Sequence, residues 1–474
     1  MSPGKRVRVA DVVRRRRTPR FDTMSVLALV IPLVTVGVLA LVQKPPVHDT
    51  THAPALTKLT SSTLVCPSAE PEAPNGWVST ASGASGDVKV GSGSESSTLS
   101  VSTGAVTRLT GTGPAVIQGD DELAPGLLGL RFGTSPITTQ GCTVPASTQW
   151  FAGVGSGPAH DSVIELVNPD SGPANADITL YSNHAFTRRL LHGITIPANR
   201  TVRLDLGQIA PKRALLSAQV QVTRGRLAVH VLDRRTSLVT HRATHEWLPR
   251  QAAPALDNQL IGLPAGKGQR TLQLANPGDD VARAEVKIIT GDTSFAPEGL
   301  QTITIRAGST TQVSLTKVLA KALGDGAVGV QVTADAPILA SLLTELGTDQ
   351  AVTVPGEVIR SEAATLLPVA PTKAPGKPAT PVAATLYVSA DSAGAATVTA
   401  YDVDGKRLLD KRVGQQEGHT VAVELPRGTA YLSVTPEGTE IRGSVVLTGD
   451  GASVIPLHEL LTEGLVPHIQ PGQD

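Results

Sequence analysis

Aromatic side chains are scarce in this sequence, at 3% of its 474 residues. Cores built mainly from large rings are therefore excluded. Glycine and proline, by contrast, number 46 and 35, so turns must be frequent and the cores between them must consist of Val, Leu, Ile and Ala. This composition predicts an all-β protein of short strands. The length is too great for one ordinary core and indicates several domains.

Long apolar runs are also missing, with one exception: Met24–Val42, nineteen residues without a charge. A helix rises about 1.5 Å per residue, so a run of this length just crosses the roughly 30 Å hydrocarbon core of a bilayer. Pro32 and Gly37 are compatible with a membrane helix, because neighbouring residues can satisfy the backbone groups that they disturb. We therefore predict a transmembrane helix, acting as a signal-anchor, over Met24–Val42.

Basic residues dominate the tail before this run, where only Asp11 and Asp22 oppose them. They are Lys5, Arg6, Arg8, Arg14, Arg15, Arg16, Arg17 and Arg20. The positive-inside rule places the tail in the cytoplasm and the 432 residues after the run outside. A cleaved secretory signal has the same order of charge and apolar run, although the small-residue pattern from Val38 to Ala40 lies inside the run. The predicted location is a single-pass cell membrane protein, secreted if the segment is cleaved.

Neither sign of charge is in excess, since 41 basic residues balance 41 acidic ones. The exported part keeps 33 basic and 39 acidic residues, because the tail holds eight of the former and two of the latter. The resulting net charge of −6 does not attract nucleic acid, so no nucleic-acid partner is expected. The membrane is the partner that the anchor implies, and no cofactor is predicted.

Cysteine is nearly absent, since Cys66 and Cys142 are the only two in the chain. Both follow the predicted anchor, on the side of the membrane where disulfides persist. A bridge between them would constrain the unfolded chain by roughly 4 kcal/mol in the entropy model. We predict a Cys66–Cys142 disulfide, with two separate buried thiols as the alternative.

The chain repeats itself from Thr63 onward. Each repeat opens with a strand that runs into a turn, and one slot at this turn holds Cys66, Asn168, Asn276 or Ser389. The four stretches are Thr63–Pro67 (TLVCP), Ile164–Pro169 (IELVNP), Leu272–Pro277 (LQLANP) and Leu386–Ala390 (LYVSA). Their spacing of 102, 108 and 113 residues is the size of a β-sandwich domain.

Two further patterns support the repeat. Ile194–Leu206 parallels Ile303–Leu315, and alternation around a small-residue turn predicts a β-hairpin in both. A closing pattern recurs at Thr107–Ile117, Ala218–Val229, Val328–Ala340 and Tyr431–Val446. We predict about four tandem immunoglobulin-like β-sandwich domains in a row after the anchor. The predicted boundaries are 1–23 (tail), 24–42 (anchor), 43–62 (Pro/Thr-rich linker), 63–146 (a degenerate first β-domain), 147–250, 251–365 and 366–474.

The segments between these patterns have their own predicted roles. Pro249–Pro264 and Pro368–Pro381 are Pro-rich and are expected to be extended spacers or edges. Thr316–Leu323 is the one helix-like stretch outside the anchor. Ser79–Ser102 is rich in Gly and Ser and is expected to be a mobile loop.

The run Glu246–Pro277 (EWLPRQAAPALDNQLIGLPAGKGQRTLQLANP), echoed at Trp150–Pro169 (WFAGVGSGPAHDSVIELVNP), resembles an uncharacterised family of actinobacterial membrane-anchored or secreted proteins, a domain-of-unknown-function family. The resemblance covers nearly all of the exported part. It implies an extracytoplasmic place in the cell envelope and an actinobacterial source. It implies no activity and supplies no catalytic residues.

Three motifs resemble sites of chemistry but are better explained by structure. Ser314–Lys317 matches the Ser-x-x-Lys of penicillin-recognising enzymes, but the Ser-Asp-Asn and Lys-Thr-Gly partners are missing from the sequence. Gly262–Gly268 is too short for a phosphate loop. Asp402–Gly405 lacks the glutamate that completes a calcium loop and is typical of a hairpin turn. We predict no catalytic residue, no cofactor-binding residue and no metal ligand.

Histidines are concentrated in the second predicted domain, which has six of the eleven. They are His160, His184, His192, His230, His241 and His245. Converging imidazoles bind zinc or copper, and His241 and His245 are four residues apart. They do not follow the His-Glu-x-x-His order of helical zinc sites, and the strand pattern separates the others. Ordinary surface or core histidines are predicted.

These observations predict a non-enzymatic envelope protein. Its repeats would act as a scaffold or as binding modules for cell-wall polysaccharide or envelope proteins. One alternative is a glycan-acting hydrolase or transferase accessory, with the Ser-rich loop or the histidine group as its site. The other is a solute or metal sensor.

Overall fold

β-Strands make up most of the residues that the structure describes, so the predicted all-β class is confirmed. The structure is a computed structural model that describes residues 23–42, 55–92, 95–183, 188–213, 215–236, 243–347, 349–369 and 382–466. The chain divides into two units. One contains Met1–Ala55 and Leu465–Asp474, and the other is Leu56–Gly464.

The first unit contains the helix α1 (Thr23–Val42), which covers the apolar run and has Pro32 inside it. Large apolar side chains of α1 are exposed, Met24 and Leu33 among them. Across the part of the chain that the structure describes, no helix has both the length and the hydropathy needed to cross a membrane. The predicted basic tail and most of the predicted linker 43–62 lie outside the described residues.

The second unit consists of four consecutive blocks of strands, preceded by β1 (Ala55–Lys58). The strands of the first block are β2 (Ser61–Cys66), β3 (Asn75–Thr80), β4 (Ser85–Ser92), β5 (Glu95–Ser102), β6 (Thr107–Arg108), β7 (Ala115–Asp120), β8 (Leu127–Thr134) and β9 (Ile137–Gly141). One turn of 3₁₀ helix, Asp121–Leu123, lies between β7 and β8.

The second block follows directly. Its elements are β10 (Thr148–Val154), β11 (Ser156–Gly157), β12 (His160–Val167), β13 (Ala174–Ser182), β14 (Arg188–Ile196), β15 (Thr201–Asp205), α2 (Leu206–Ile209), β16 (Leu216–Arg224), β17 (Ala228–Thr236) and β18 (Ala243–Trp247). The short helix α2 was not predicted. It begins where the Asp205 side chain accepts a hydrogen bond from the Gln208 backbone N–H, as an N-cap residue does.

The third block contains the predicted helix at Thr316–Leu323, which is confirmed as α3. Its elements are β19 (Ala255–Ile261), β20 (Gln269–Asn276), β21 (Ala282–Thr290), β22 (Ser294–Phe295), β23 (Ile303–Ile305), β24 (Ser309–Ser314), α3 (Thr316–Ala322), β25 (Ala327–Leu346) and β26 (Asp349–Thr353). Alternation explains these strands. Along β21, Ala282, Ala284 and Val286 are buried and the residues between them are exposed.

The fourth block completes the unit. Its strands are β27 (Ala363–Leu366), β28 (Ala383–Ala390), β29 (Gly394–Tyr401), β30 (Arg407–Gln415), β31 (Thr420–Glu424), β32 (Tyr431–Glu437), β33 (Ile441–Gly449) and β34 (Gly451–Pro456). A final strand, β35 (Glu463–Val466), pairs with β1. Most of the Pro-rich segment Pro368–Pro381 lies outside the described residues.

The same strand order recurs in all four blocks. When the principal strands of a block are numbered 1 to 8, one sheet has the order 1-6-3-4 and the other 5-2-7-8. In the first block these sheets are β2-β7-β4-β5 and β6-β3-β8-β9, and in the fourth they are β27-β32-β29-β30 and β31-β28-β33-β34. In the third block the long strand β25 supplies both positions 6 and 7, pairing with β19 and β21 in one sheet and with β20 and β26 in the other.

This order corrects the immunoglobulin-like prediction. In an immunoglobulin sandwich the first two strands are neighbours in one sheet, whereas here strands 1 and 2 lie in opposite sheets. The predicted hairpins are wrong for a related reason. The strand before the turn at 197–200 pairs with β13, and the strand after it pairs with β12 in the other sheet. Alternation has the same period whether a strand folds back beside its predecessor or crosses to the facing sheet.

One segment predicted to be a loop is in fact a pair of strands. The predicted mobile loop Ser79–Ser102 contains the pair β4 and β5, which bury Val88 and Val101. Small polar residues form this strand pair because the few apolar residues alternate inward. Pro249–Pro264, predicted to be an extended spacer or an edge, does contain an edge strand, because β19 pairs only with β25 among the described strands.

The blocks pack into a closed ring, not into the predicted row. The eighth strand of each block touches its neighbours, so that β9 contacts β18 and β34, and β26 also contacts β18 and β34. First and last blocks share apolar packing, since Leu130, Phe132 and Ile137 belong to the same buried cluster as the core of the fourth block. The junction of the four eighth strands is therefore the centre of the unit.

Candidate functional site

Buried polar groups occupy the centre, where the eighth strands meet. The Glu246 carboxylate accepts hydrogen bonds from Thr138 Oγ1 at 2.9 Å and from the Trp247 backbone N–H at 3.0 Å. Asp349 Oδ2 accepts from the Ala452 backbone N–H at 2.7 Å. Thr139 and Ser453 hydroxyls are 2.7 Å apart. These bonds join strands that form no ladder with one another, so the central polar groups connect all four blocks.

The two carboxyls at the centre titrate abnormally. Burial raises the pKa of Glu246 well above its usual value, and the nearby charge of Asp349 adds to the rise. Burial also raises the pKa of Asp349, to about 6. No group of three or more His, Cys, Asp or Glu side chains is placed to hold a metal ion among the residues that the structure describes. Both carboxyls accept hydrogen bonds from a strand of another block, so the pair helps to hold the blocks together.

A cleft of about 310 Å³ opens beside this centre, between the first and fourth blocks. The linkers that follow the second and third blocks complete it with Arg250 and Glu357. Apolar walls and a few convergent polar groups in one concave site are the usual composition of a ligand-binding pocket. This cleft is the candidate functional site.

Charge in the cleft centres on three side chains. Glu357 Oε2 lies 3.2 Å from His458 Nδ1. Burial alone would raise the pKa of Glu357, but His458 and Arg250 outweigh it and lower that pKa to about 2. Burial lowers the pKa of Arg250 and Glu357 opposes the change, yet a guanidinium stays charged in a protein. The cleft thus holds a charged arginine beside an ionised, paired glutamate.

The predicted disulfide between Cys66 and Cys142 is present and forms part of the cleft wall. It packs against Gly129, where an added Cβ would lie 2.6 Å from Cys142 Sγ. Such a contact is too close for any side chain, so residue 129 has to be glycine for the wall to close. The bridge therefore fixes the position of the segment around Cys142 at the mouth of the cleft.

The four histidines of the second block that the structure describes do not converge. Four of the six have separate partners: His160 with Asp233, His192 with Asp177, His230 with Thr143 and His245 with Glu72. The other two, His184 and His241, lie outside the described residues. Burial lowers the pKa of His230 to about 3, so this ring is neutral in the folded protein.

A second buried cluster contains the residue types of a hydrolase triad in a different arrangement. His160 Nε2 and Ser162 Oγ lie 2.7 Å and 2.6 Å from the same oxygen of Asp233, and Arg235 Nε donates to the other oxygen at 3.1 Å. In a triad the histidine accepts the serine proton. Here the serine hydroxyl donates to the carboxylate, so the cluster stabilises a buried charge and does not activate a nucleophile.

The structure confirms the turns and the strand end that were predicted at the Asn168, Asn276, Gly405 and Ser314 motifs. Asn168 and Asn276 occupy equivalent positions, and each Oδ1 accepts from a backbone N–H two residues on. Through Nδ2, Asn168 donates to three backbone carbonyls and Asn276 donates to two. Gly405 has a φ of 82° in the turn between β29 and β30. Ser314 ends β24, and its hydroxyl donates to Thr316 at 3.3 Å, not to Lys317.

The slot assigned to Cys66 is wrong. Asn168, Asn276 and Ser389 each lie within one residue of the end of strand 2 of a block, but Cys66 ends β2, which is strand 1 of its block. Because β2 also ends in an apolar run before a turn, the sequence pattern alone does not show whether it is strand 1 or strand 2 of its block. Sequence reasoning also missed Arg250, Glu357 and His458, because they come from three separate segments with no shared motif.

Comparisons with known proteins identify the family of the chain but no activity. A family model described as a family of unknown function, DUF5719, matches residues 135–426. No curated protein matches the chain. Among solved structures, the Streptomyces avermitilis alpha-L-rhamnosidase complexed with L-rhamnose is 9% identical, with a TM-score of 0.12 over 82% of this chain and 57% of that one. A likeness this weak carries no argument about fold or activity.

Proposed function

The chain belongs to the DUF5719 family, a family of unknown function, and from this premise we propose that it is a non-enzymatic, membrane-anchored protein of the cell envelope. Its four blocks act as a scaffold outside the membrane and present one binding cleft. Cell-wall polysaccharide or envelope proteins are its partners, and its source is actinobacterial.

The proposed location rests on three features. The Cys66–Cys142 bridge is of the kind that persists outside the cytoplasm. The helix α1 carries apolar side chains and no charge, which suits a signal-anchor. Eight basic residues precede it and favour a cytoplasmic N-terminus.

We also propose that each block is a separate β-sandwich domain. The repeated strand order supports four domains, and the buried clusters support a core between the two sheets of each. Contacts between the eighth strands then hold the domains in fixed positions around the cleft. A scaffold for one site requires this fixed arrangement.

The observation that carries the proposed binding role is the cleft itself, a concave site with mainly apolar walls whose lining includes Arg250. Buried charge is costly, so a structural protein has little reason to retain it in a pocket. The glycan-acting alternative loses one of its two candidate sites, because β4 and β5 occupy the Ser-rich segment.

Retention on purified cell wall tests the proposal. The full chain, in lipid nanodiscs, is incubated with peptidoglycan and with cell-wall polysaccharide, and both the retained protein and the released sugars are measured. We expect retention without release. Release of sugar would contradict the non-enzymatic assignment, and absence of retention would exclude these polymers and leave envelope proteins as the partners.

A further inference from the structure

Among the described residues, none accepts a hydrogen bond from the Arg250 guanidinium and none forms an ion pair with it, although Glu357 is near enough to influence it electrostatically. A guanidinium presents five N–H donors in a planar fork that matches a carboxylate. The guanidinium of Arg250 is largely buried and has no acceptor among the described residues, so it is suited to bind the carboxylate of a ligand.

The acidic groups of the cleft are already engaged. Glu357 pairs with His458. Glu459 Oε1 accepts from the backbone N–H groups of Arg360 and Ser361, at 2.9 Å and 2.7 Å, and from the Ser361 hydroxyl at 2.9 Å. Glu357 and Arg250 influence each other's pKa, but Glu357 accepts no hydrogen bond from the Arg250 guanidinium. Arg250 is thus the charged side chain in the described lining of the cleft that has neither a hydrogen bond nor an ion pair.

The walls around this charge are mainly apolar. They include Leu64, Leu128, Leu366, Ile455 and Leu460, together with the disulfide. A small inorganic anion would leave this surface uncovered. A ligand that joins an anionic end to an apolar body would satisfy the arginine and bury the walls at the same time.

We propose that the cleft binds an amphiphilic carboxylate, whose two oxygens accept parallel hydrogen bonds from Arg250 and whose apolar body lies along the leucine walls. This inference rests on the proposed binding role and names its ligand chemistry. The carboxyl end of an apolar peptide and a short fatty acid share this chemistry.

Calorimetric titration of the full chain in lipid nanodiscs tests the inference with matched probes. N-acetyl-leucine represents the peptide end, hexanoate represents the fatty acid, and N-acetyl-leucinamide has the same apolar body without the charge. The variants are Arg250→Gln, Arg250→Lys and the control Arg412→Gln, which removes an exposed arginine paired with Glu437 outside the cleft.

The expected result is that one or both carboxylates bind and the amide binds at least about tenfold more weakly. Arg250→Gln should weaken carboxylate binding at least about tenfold, and Arg250→Lys should give an intermediate loss, since it keeps the charge without the fork. Arg412→Gln should bind as the unmodified chain does. The stronger of the two carboxylates identifies the source.

Equal binding of acid and amide would overturn the inference, as would absence of binding by every probe up to about 10 mM. If Arg250→Gln does not fold, judged by its melting temperature, the comparison of acid with amide and the Arg250→Lys variant decide. Retention on cell wall without probe binding would refute this ligand class and leave the proposed function standing. Probe binding by a chain that is not exported would support this ligand class and refute the proposed function.

Discussion

Replacing Asp349 by asparagine removes a buried titrating group without changing its shape. Asp349 lies at the ring centre, where Oδ2 accepts from the Ala452 N–H at 2.7 Å. An asparagine oxygen can accept the same hydrogen bond. The exchange therefore isolates the effect of the charge from the effect of the contact.

The magnitude follows from the pKa. Burial raises the pKa of Asp349 from 3.8 to about 6, a difference worth about 3 kcal/mol. Because the folded value is the higher one, the stabilisation is fully present below pH 3.8 and is lost as the pH rises through about 6. The ionised carboxylate therefore destabilises the folded protein at neutral pH, and Asp349→Asn should stabilise the protein at that pH. For a unit of about 400 residues, 3 kcal/mol corresponds to about 3 to 4 °C in melting temperature.

Melting temperatures measured from pH 4 to pH 8 test this prediction. The difference between Asp349→Asn and the unmodified chain should be small at pH 4, rise between about pH 4 and pH 6 and remain constant above that range. The control is Asp292→Asn, because the side chain of Asp292 is 96% exposed and its removal should give a difference near zero at every pH. A difference for Asp349→Asn that does not vary with pH, or that is destabilising at pH 8, would refute the buried-charge reasoning.

Three further substitutions have defined outcomes. Removing the bridge with Cys66→Ala and Cys142→Ala should cost roughly 4 kcal/mol, since the linked residues are 76 apart; an unchanged melting temperature with and without reductant would contradict this. Asn276→Ala deletes two donated hydrogen bonds and one accepted bond in a buried turn, and we expect a loss of about 2 to 4 kcal/mol in denaturant titration, whereas a loss below about 0.5 kcal/mol would mean that the turn does not need them. His230 has a pKa lowered by burial to about 3, so its neutral form contributes stability that is lost as the pH falls from about 6.5 towards 3; His230→Gln should lose less stability on acidification, and parallel pH profiles for the two proteins would refute the assignment.

Local features of the fold could be predicted because a few adjacent residues determine them. Asn168 and Asn276 hydrogen-bond within their own turns, so the shared slot was visible as a motif. Asn199 and Gly308 lie at equivalent positions with φ of 51° and 58°, a conformation that asparagine and glycine adopt most readily. The disulfide could be predicted because the chain has only two cysteines, which leaves few alternatives to pairing with each other.

Features that depend on distant segments could not be predicted. Ile137 and Phe132 have the sequence pattern of ordinary core residues, and nothing in that pattern shows that they pack against the last block. In β15, apolar and polar residues alternate as they do at the end of β14, so the sequence does not show that β15 lies in the opposite sheet. Arg250 and Glu357 are single polar residues after strands, and only the closed ring brings them together.

Digestion of intact cells with an external protease tests the proposed location of the blocks most directly. The chain is expressed in bacteria with one epitope tag before Met1 and another after Asp474, and both tags are followed by blotting. The proposal predicts that intact cells lose the C-terminal tag and keep the N-terminal tag on a short fragment with α1. Survival of both tags until the cells are lysed would show that the blocks are not exported, and would contradict the proposed function.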